Sequence, residues 1–370
     1  MPPVVVIVLA PQPRPDAGPL ERVLDEARTA LADAHFVGFL VAGATRVLAW
    51  SEPPDSTPFG ARLRRIATDV VAPMGDDAGL VVLGAASIPM ATPADYRAFV
   101  QAAASAPVAG PNALANVRYS ADVIAIAAAA PVLARLPDLD ADNSLPRWLA
   151  EVAGIPVRDL RARRRLAVDI DSPVDLLVLD GVKGAPRPAL PLPSDANAQP
   201  VRHRLEALRA LAADPGAEVL VAGRLSSVDL RWLERGTRSR TRALVEERGL
   251  RTASIGAVVG RPNRRPPRST LGLLVERDGP GSLGRHVASL SDGAVLDSRV
   301  LMAHRYGAGE AGWPKAEDRF ASDLLLPGAI TDPWLAELTA SAAEAHVPIV
   351  MGGHGLVGPG VRYVLGGGRR

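Results

Sequence analysis

The sequence predicts an α/β fold. Two continuous apolar runs, "VVVIVLA" (4–10) and "AGLVVLGA" (78–85), are too uniformly hydrophobic for strands with one wet face. Between them lie stretches whose apolar residues recur three and four apart, the spacing of a helix face. The two patterns alternate along most of the chain, which predicts a mostly parallel sheet covered by helices on both faces. Ligands of such sheets gather outside the carboxyl ends of the strands.

Each element follows from its local pattern. "PLERVLDEARTALADA" (19–34) has apolar residues at 20, 23, 24, 27 and 31, with Pro19 suited to a first helical turn. "FVGFLVA" (36–42) and "TRVLAWS" (45–51) read as strands, and "PFGARLRRIATDVVAPM" (58–74) as a helix. "TPADYRAFVQAAA" (92–104) reads as a helix capped by Thr92, with Asp95 expected at the surface or in a turn. The proline-dense, aperiodic segment 181–200 predicts a linker between a first domain (1–180) and a second α/β domain (201–370). The second domain opens with a helix (201–213), a strand (217–223) and a helix (226–237). Later, "VLDSRVLMAH" reads as a buried strand and "VPIVMGG" as another. "GRPNRRPPRST" (260–270) is expected as an exposed basic loop, and the final "GGGRR" as a frayed tail.

Composition narrows the function. The 370 residues have room for two or three domains, and 48% of them are apolar, enough for sizeable cores. No cysteine is present, which removes disulfides, thiolate metal sites and a cysteine nucleophile. Forty-two basic residues against 40 acidic ones leave a formal net charge of +2, without the electrostatic footprint of a nucleic-acid binder. The apolar N-terminus is too short to span a membrane and lacks a basic leader. A cytoplasmic protein with neither membrane nor nucleic-acid partners is expected.

The segment "RRRLAVDIDSPVDLL" (163–177) carries the sharpest chemical pattern. In an extended chain positions i and i+2 point to one side, so Asp169 and Asp171 would present two carboxylates to one hard cation. The competing reading makes the pair the polar end of a buried strand, with Asp171 capping the helix begun by "SPVDLLVLD". The basic run Arg161, Arg163, Arg164 and Arg165 is expected as a surface feature away from any site.

Four segments in order resemble the 2-phospho-L-lactate guanylyltransferase group, and more broadly the molybdenum-cofactor-guanylyltransferase-like NTP transferases. "VVLGAASIPMATPADYRAF" resembles the family's strand ending in Asp-Leu-Pro. "GPNALANVRYS" resembles its Gly-Thr-Asn-Ala-Leu element. "DNSLPRWLAEVAGI" resembles its Ser-Phe-x-x-His segment, and "LAVDIDSPVDL" its Leu-Asp-Ile-Asp-Thr-Pro-x-Asp-Leu. The resemblance covers roughly residues 4–180. It implies a nucleotide-diphospho-sugar-transferase-like Rossmannoid domain and transfer of a nucleotidyl group from GTP to a phosphorylated small acid, in assembly of an F420-type cofactor. It implies Mg2+ held by Asp169 and Asp171, and nucleotide or substrate contacts from Arg14, Gly18, Ser87, Asn112, Arg118 and Ser144. A homodimer or a pathway-protein partner would fit that role.

The chain also departs from the family. Ser87 stands where the family has a metal-binding aspartate, and a neutral hydroxyl is a poor replacement. The loop after the first strand carries Arg14 as its one base, leaving backbone amides around Ala17 and Gly18 to cradle phosphate. The segment's histidine is missing. Two other readings therefore stand: a catalytically silent nucleotide-binding or complex-forming relative, and a hydrolase or transferase whose active site lies in the second domain. Candidates there are Asp297, Arg299, His304, Asp318, Asp323 and His354, the last within a "GGHG" turn after a buried strand.

Overall fold

Residues of the first strand alternate between two cores, which explains its unbroken apolar run. The computed structural model describes residues 1–10, 12, 14–51, 57–105, 110–139, 142–182, 188–247, 250 and 266–366. In strand β1 (Val4–Leu9), Val5 and Ile7 enter one hydrophobic cluster while Val4, Val6 and Val8 enter another on the opposite face. Both faces are dry, so no position of that strand is free to be polar.

Six strands form the first sheet: β1, β2 (Arg46–Trp50), β3 (Gly79–Gly84), β4 (Ala113–Ala115), β5 (Val123–Ile126) and β6 (Val157–Asp159). Their order is β2-β1-β3-β5-β4-β6, and β5 alone among them runs against its neighbours. The mixed α/β architecture with a mostly parallel sheet is thus present. Helices α1 (Pro19–Val41) and α3 (Pro93–Ala103) cover one face. Helices α2 (Phe59–Ile66), α4 (Ala129–Leu133) and α5 (Leu145–Glu151) cover the other.

Helix α1 corrects one expectation. "FVGFLVA" is not a strand but the last turns of this 23-residue helix. Its buried residues Leu20, Leu24, Ala27, Leu31, His35 and Phe39 keep helical spacing to the end. The residues that made the run look strand-like, Phe36, Val37, Leu40 and Val41, are exposed. Asp95 is also not a surface residue. It is fully buried, completes a capping box with Thr92, and binds Arg163 at 2.7 Å and Arg165 at 2.5 Å. The basic run expected at the surface is therefore partly consumed by buried acids, Arg164 pairing with Asp229 of the second half at 2.5 Å.

After α6 (Pro173–Asp180), the helix α7 (Asp195–Ala213) begins inside the segment expected to be linker and accommodates Pro200 in its second turn. Residues 183–187 of that segment lie outside the described residues, as do 260–265 of the expected basic loop and 367–370 of the tail. The second sheet is fully parallel: β7 (Glu218–Gly223), β8 (Arg240–Val245), β9 (Gly293–Asp297) and β10 (Ile349–Gly352), in the order β10-β9-β7-β8. Helices α8 (Ser227–Gly236), α9 (Thr270–Asp278), α10 (Leu283–Leu290), α11 (Ser298–Tyr306), α12 (Ala316–Asp323), α13 (Pro333–Glu344), α14 (His354–Val357) and α15 (Val361–Gly366) complete this half. "VLDSRVLMAH" is corrected here. The strand ends at Asp297, and Ser298 starts helix α11.

One hydrophobic cluster joins the halves. It contains Leu20, Leu24, Ala27 and Leu31 of α1 and Val174, Leu176, Leu177, Val178 and Leu179 of α6, together with Val219 to Ala222 and Ile349 to Met351 of the second sheet. A polar clasp reinforces this contact. The Glu317 carboxylate accepts hydrogen bonds from the amides of Leu20 (3.1 Å) and Glu21 (3.0 Å) at the start of α1. An acid from α12 thus satisfies donors that a helix start leaves open.

Candidate functional site

The carboxyl ends of the two sheets open onto one cavity of about 650 Å3, within the size range of small-molecule sites. The first sheet contributes Leu9, Ala10 and Trp50, with Phe59 and Arg62 from α2. The second contributes Arg224, Arg299 and His354, which follow the ends of β7, β9 and β10. Trp313, Arg319 and Phe320 form another wall, and Asp171 comes from the "DIDSP" segment. Strand β7 has β8 on one side and β9 on the other, so the winding reverses between the ends of β7 and β9. Ligands of doubly wound sheets bind in the crevice at that point.

Two arginine forks stand in this crevice. Arg224 donates through Nε to Asp297 Oδ2 at 2.6 Å and through Nη2 to Oδ1 at 3.0 Å. Arg299 donates through Nη1 and Nη2 to the two oxygens of Asp323, at 2.7 and 2.6 Å. Both carboxylates have no exposed side-chain surface. Burial alone would raise the Asp297 carboxyl, but the Arg224 guanidinium holds it below the usual carboxylate range. Buried bidentate pairs add little net stability, because desolvation offsets the attraction; they hold the partner in one geometry.

The floor of the site is acidic but partly neutralised. Asp175 is the third residue of α6, and its Oδ2 accepts the amides of Asp171 (3.0 Å) and Ser172 (2.9 Å). Burial, followed by the charges of Asp171 and Asp323, pushes its carboxyl well above the ordinary range. Ser172 is the helix cap, in place of the expected Asp171, and its hydroxyl also donates to Asp323 Oδ2 at 2.6 Å. Burial, then the nearby Arg224 charge, lowers the pKa of His354 below its ordinary value. Its Nδ1 has no hydrogen-bond partner among the described residues.

Asp169 lies beside the crevice. It forms an isolated antiparallel bridge with Ser87, just past the end of β3, and the Ile170 amide donates to the Ala86 carbonyl. Ser87 is held from two sides. Its hydroxyl donates to the Asp122 carbonyl, and its own carbonyl accepts from His35 Nε2 at 2.9 Å. The Tyr96 hydroxyl then donates to His35 Nδ1 at 3.0 Å, which sets the ring as neutral with the proton on Nε2. Burial lowers the pKa of His35 to about 4, consistent with that tautomer. A Cβ at Gly355 would lie 3.2 Å from Asp169 Oδ1, so the "GGHG" turn of the second half packs directly on this carboxylate.

No family model, no curated protein and no solved structure matches the chain.

The structure gathers some sequence-derived candidates and separates others. Asp171, Arg299 and His354 line the cavity, with Asp297 and Asp323 directly behind. Arg14 also lines it, ion-paired with Glu21. Gly18 does not offer a free phosphate cradle: its amide binds Glu21 Oε2 at 3.0 Å, and the next amides bind Glu317. Asn112 precedes β4 at the opposite end of the sheet, its carbonyl accepting from Ala127. Arg118 stacks 5.8 Å from the Tyr119 ring, and Ser144 sits buried just before α5 without a side-chain cap bond; neither lines the cavity. His304 is used by Ser269 and Glu276, and Asp318 by Thr331 and Asp332, so both serve local structure. Arg224 and Asp175 carry no sequence signal strong enough to mark them as site residues. The one available signal for Arg224 was its place directly after a glycine that ends a buried strand.

Proposed function

We propose that the protein binds a nucleotide at the carboxyl end of the first sheet and performs guanylyltransferase-like chemistry on a phosphorylated small acid. The observation supporting this reading is the Ser87–Asp169 bridge. It joins the two segments that the sequence resemblance assigns to one nucleotide and metal site, although they lie far apart in the chain. Trp50 and Phe59 on the cavity wall offer flat apolar surface for a base, and the cavity has room for a nucleotide.

In this reading an oxygen of the acid's phosphate attacks the α-phosphorus of GTP. The bond from that phosphorus to the bridging oxygen breaks, and pyrophosphate leaves with the electron pair. Among the described residues no group of three or more His, Asp or Glu gathers to hold a metal ion. Asp169 and Asp171 would meet the smaller demand of Mg2+, which takes one or two protein carboxylates and completes its shell with phosphate oxygens and water. The ion would neutralise charge on the phosphates.

The test measures GTP binding calorimetrically with Mg2+, and pyrophosphate release with 2-phospholactate as acceptor. Binding and release, both reduced in Asp169→Asn, support the proposal. Binding without release across acceptors would favour the silent relative, for which Ser87 in the family's aspartate position is the motivating observation. Absence of GTP binding would overturn both.

A further inference from the structure

We propose that the switch-point crevice of the second sheet is a separate oxyanion site, built by Arg224, Arg299 and His354, that takes the phosphate group of a small phosphorylated acid. The assignment of this acid as the acceptor rests on the proposed function; the oxyanion site rests on the second sheet alone.

Each arginine is fastened on its inner side by a buried carboxylate, Arg224 by Asp297 and Arg299 by Asp323. The Asp297 pair uses Nε and Nη2 of Arg224, which leaves Nη1 to the cavity that the residue lines. Arg299 spends Nη1 and Nη2 on Asp323 and Ser298, which leaves Nε. His354 adds a ring on the same wall whose Nδ1 has no partner among the described residues. The three groups belong to three different strand ends, and Asp297 feels the charges of both arginines. Fixed guanidinium forks with donors left over match a phosphoryl group, which presents several acceptor oxygens in a compact volume. A cation is disfavoured between the two forks, because the carboxylates behind them, Asp297 and Asp323, are already committed to the arginines.

The choice of a phosphorylated acid over the nucleotide's own phosphates follows from position. Arg224, Arg299 and His354 come from the second sheet, whereas Ala10, Trp50 and Phe59 come from the first. A ligand group at the switch point would face a nucleotide across the cavity, the arrangement a transfer reaction needs.

The experiment titrates full-length protein with inorganic phosphate, by calorimetry and through the His354 ring resonances, with His304 as an internal control outside the cavity. Phosphate is expected to release heat and to move the His354 signals while leaving His304 unchanged. Arg224→Lys and Arg299→Lys keep a charge but lose the fork, and each is expected to weaken phosphate by about tenfold or more. Their thermal unfolding is recorded in parallel. If a lysine variant fails to fold, His354→Asn carries the same comparison, because it breaks no ion pair. Absence of heat and of a His354 shift in the unmodified protein overturns the site. Unchanged affinity in folded variants also overturns it. Repeating the titration with GTP and Mg2+ present separates the two phosphate sources. Undiminished phosphate affinity in GTP-loaded protein supports the acceptor assignment. Competition by GTP overturns that assignment and gives the crevice to the nucleotide. Lack of GTP binding sinks the proposed function and leaves the phosphate titration to decide the oxyanion site.

Discussion

The Cβ that Gly223 lacks would sit 2.2 Å from the Cβ of Asp297, at a backbone φ of +134°. The two residues close the ends of β7 and β9, so the position of the Arg224 clamp depends on a missing methyl group. Gly223→Ala combines a strained backbone with a clash against a buried carboxylate. It is expected to cost at least about 2 kcal/mol, measured by urea unfolding. A cost near zero would show that Asp297 can withdraw and that the clamp is not rigid.

Arg224 and Asp297 are expected to be strongly coupled. Arg224→Leu leaves a buried carboxylate without its counter-charge and should destabilise by about 3–5 kcal/mol. Adding Asp297→Leu removes the stranded charge, so the double variant should recover much of that loss. Additive losses in the double-mutant cycle would contradict a buried pair.

His35 makes stability depend on acid. Burial lowers its folded pKa to about 4, below the ordinary imidazole value of about 6.5. Its contribution is therefore fully present above pH 6.5 and lost as pH falls toward 4. The loss amounts to about 3 kcal/mol at its limit. Denaturation midpoints measured across that window should show the slope, and His35→Gln should flatten it. An unchanged slope in the variant would assign the acid sensitivity to other groups.

Glu317 and Gly18 form one contact between the halves. A Cβ on Gly18 would meet the Glu317 carboxyl carbon at 2.3 Å. Gly18→Ala should therefore release Glu317 from the Leu20 and Glu21 amides and cost about 1 kcal/mol, as loss of a helix cap does. Glu317→Ala should cost a similar amount, and the two together little more than either. Thermal unfolding of the three variants tests this, and full additivity would show that the residues act separately.

Ser87→Asp restores the carboxylate expected from the resemblance. Ser87 is 5% exposed, so the new charge would be buried beside Asp169 and should lower the melting temperature in EDTA. Mg2+ should reverse that loss if these residues share a cation. A melting temperature indifferent to Mg2+ would remove the pair from consideration as a metal site.

Much of the architecture follows from local pattern. β1 and β3 are dry on both faces, so their apolar runs needed no tertiary information to be read. Thr92 and Ser226 announce their helices through capping boxes contained within a few residues. In "FVGFLVA" composition and helix phase disagree, and only the continuing stripe through His35 and Phe39 resolves them. The burial of Asp95 has no local signal, because its partners Arg163 and Arg165 are remote in sequence.

The sequence by itself determined the fold class, most strands and helices, and the residue types available for chemistry. The tertiary structure decided which of those residues meet. Arg299 and His354 share a cavity because parallel strands end together, and Asp171 joins them from the segment before α6, relations that no spacing along the chain encodes. His304 and Asp318 were equally plausible by type, yet their hydrogen bonds are spent on nearby backbone and side chains. Arg224 acquired its place through Asp297, on a strand that is its neighbour in space and remote from it in sequence. Backbone propensity is local and so is written in short windows. The geometry of a site built across strand ends is long-range, and it exists only once the sheets have paired.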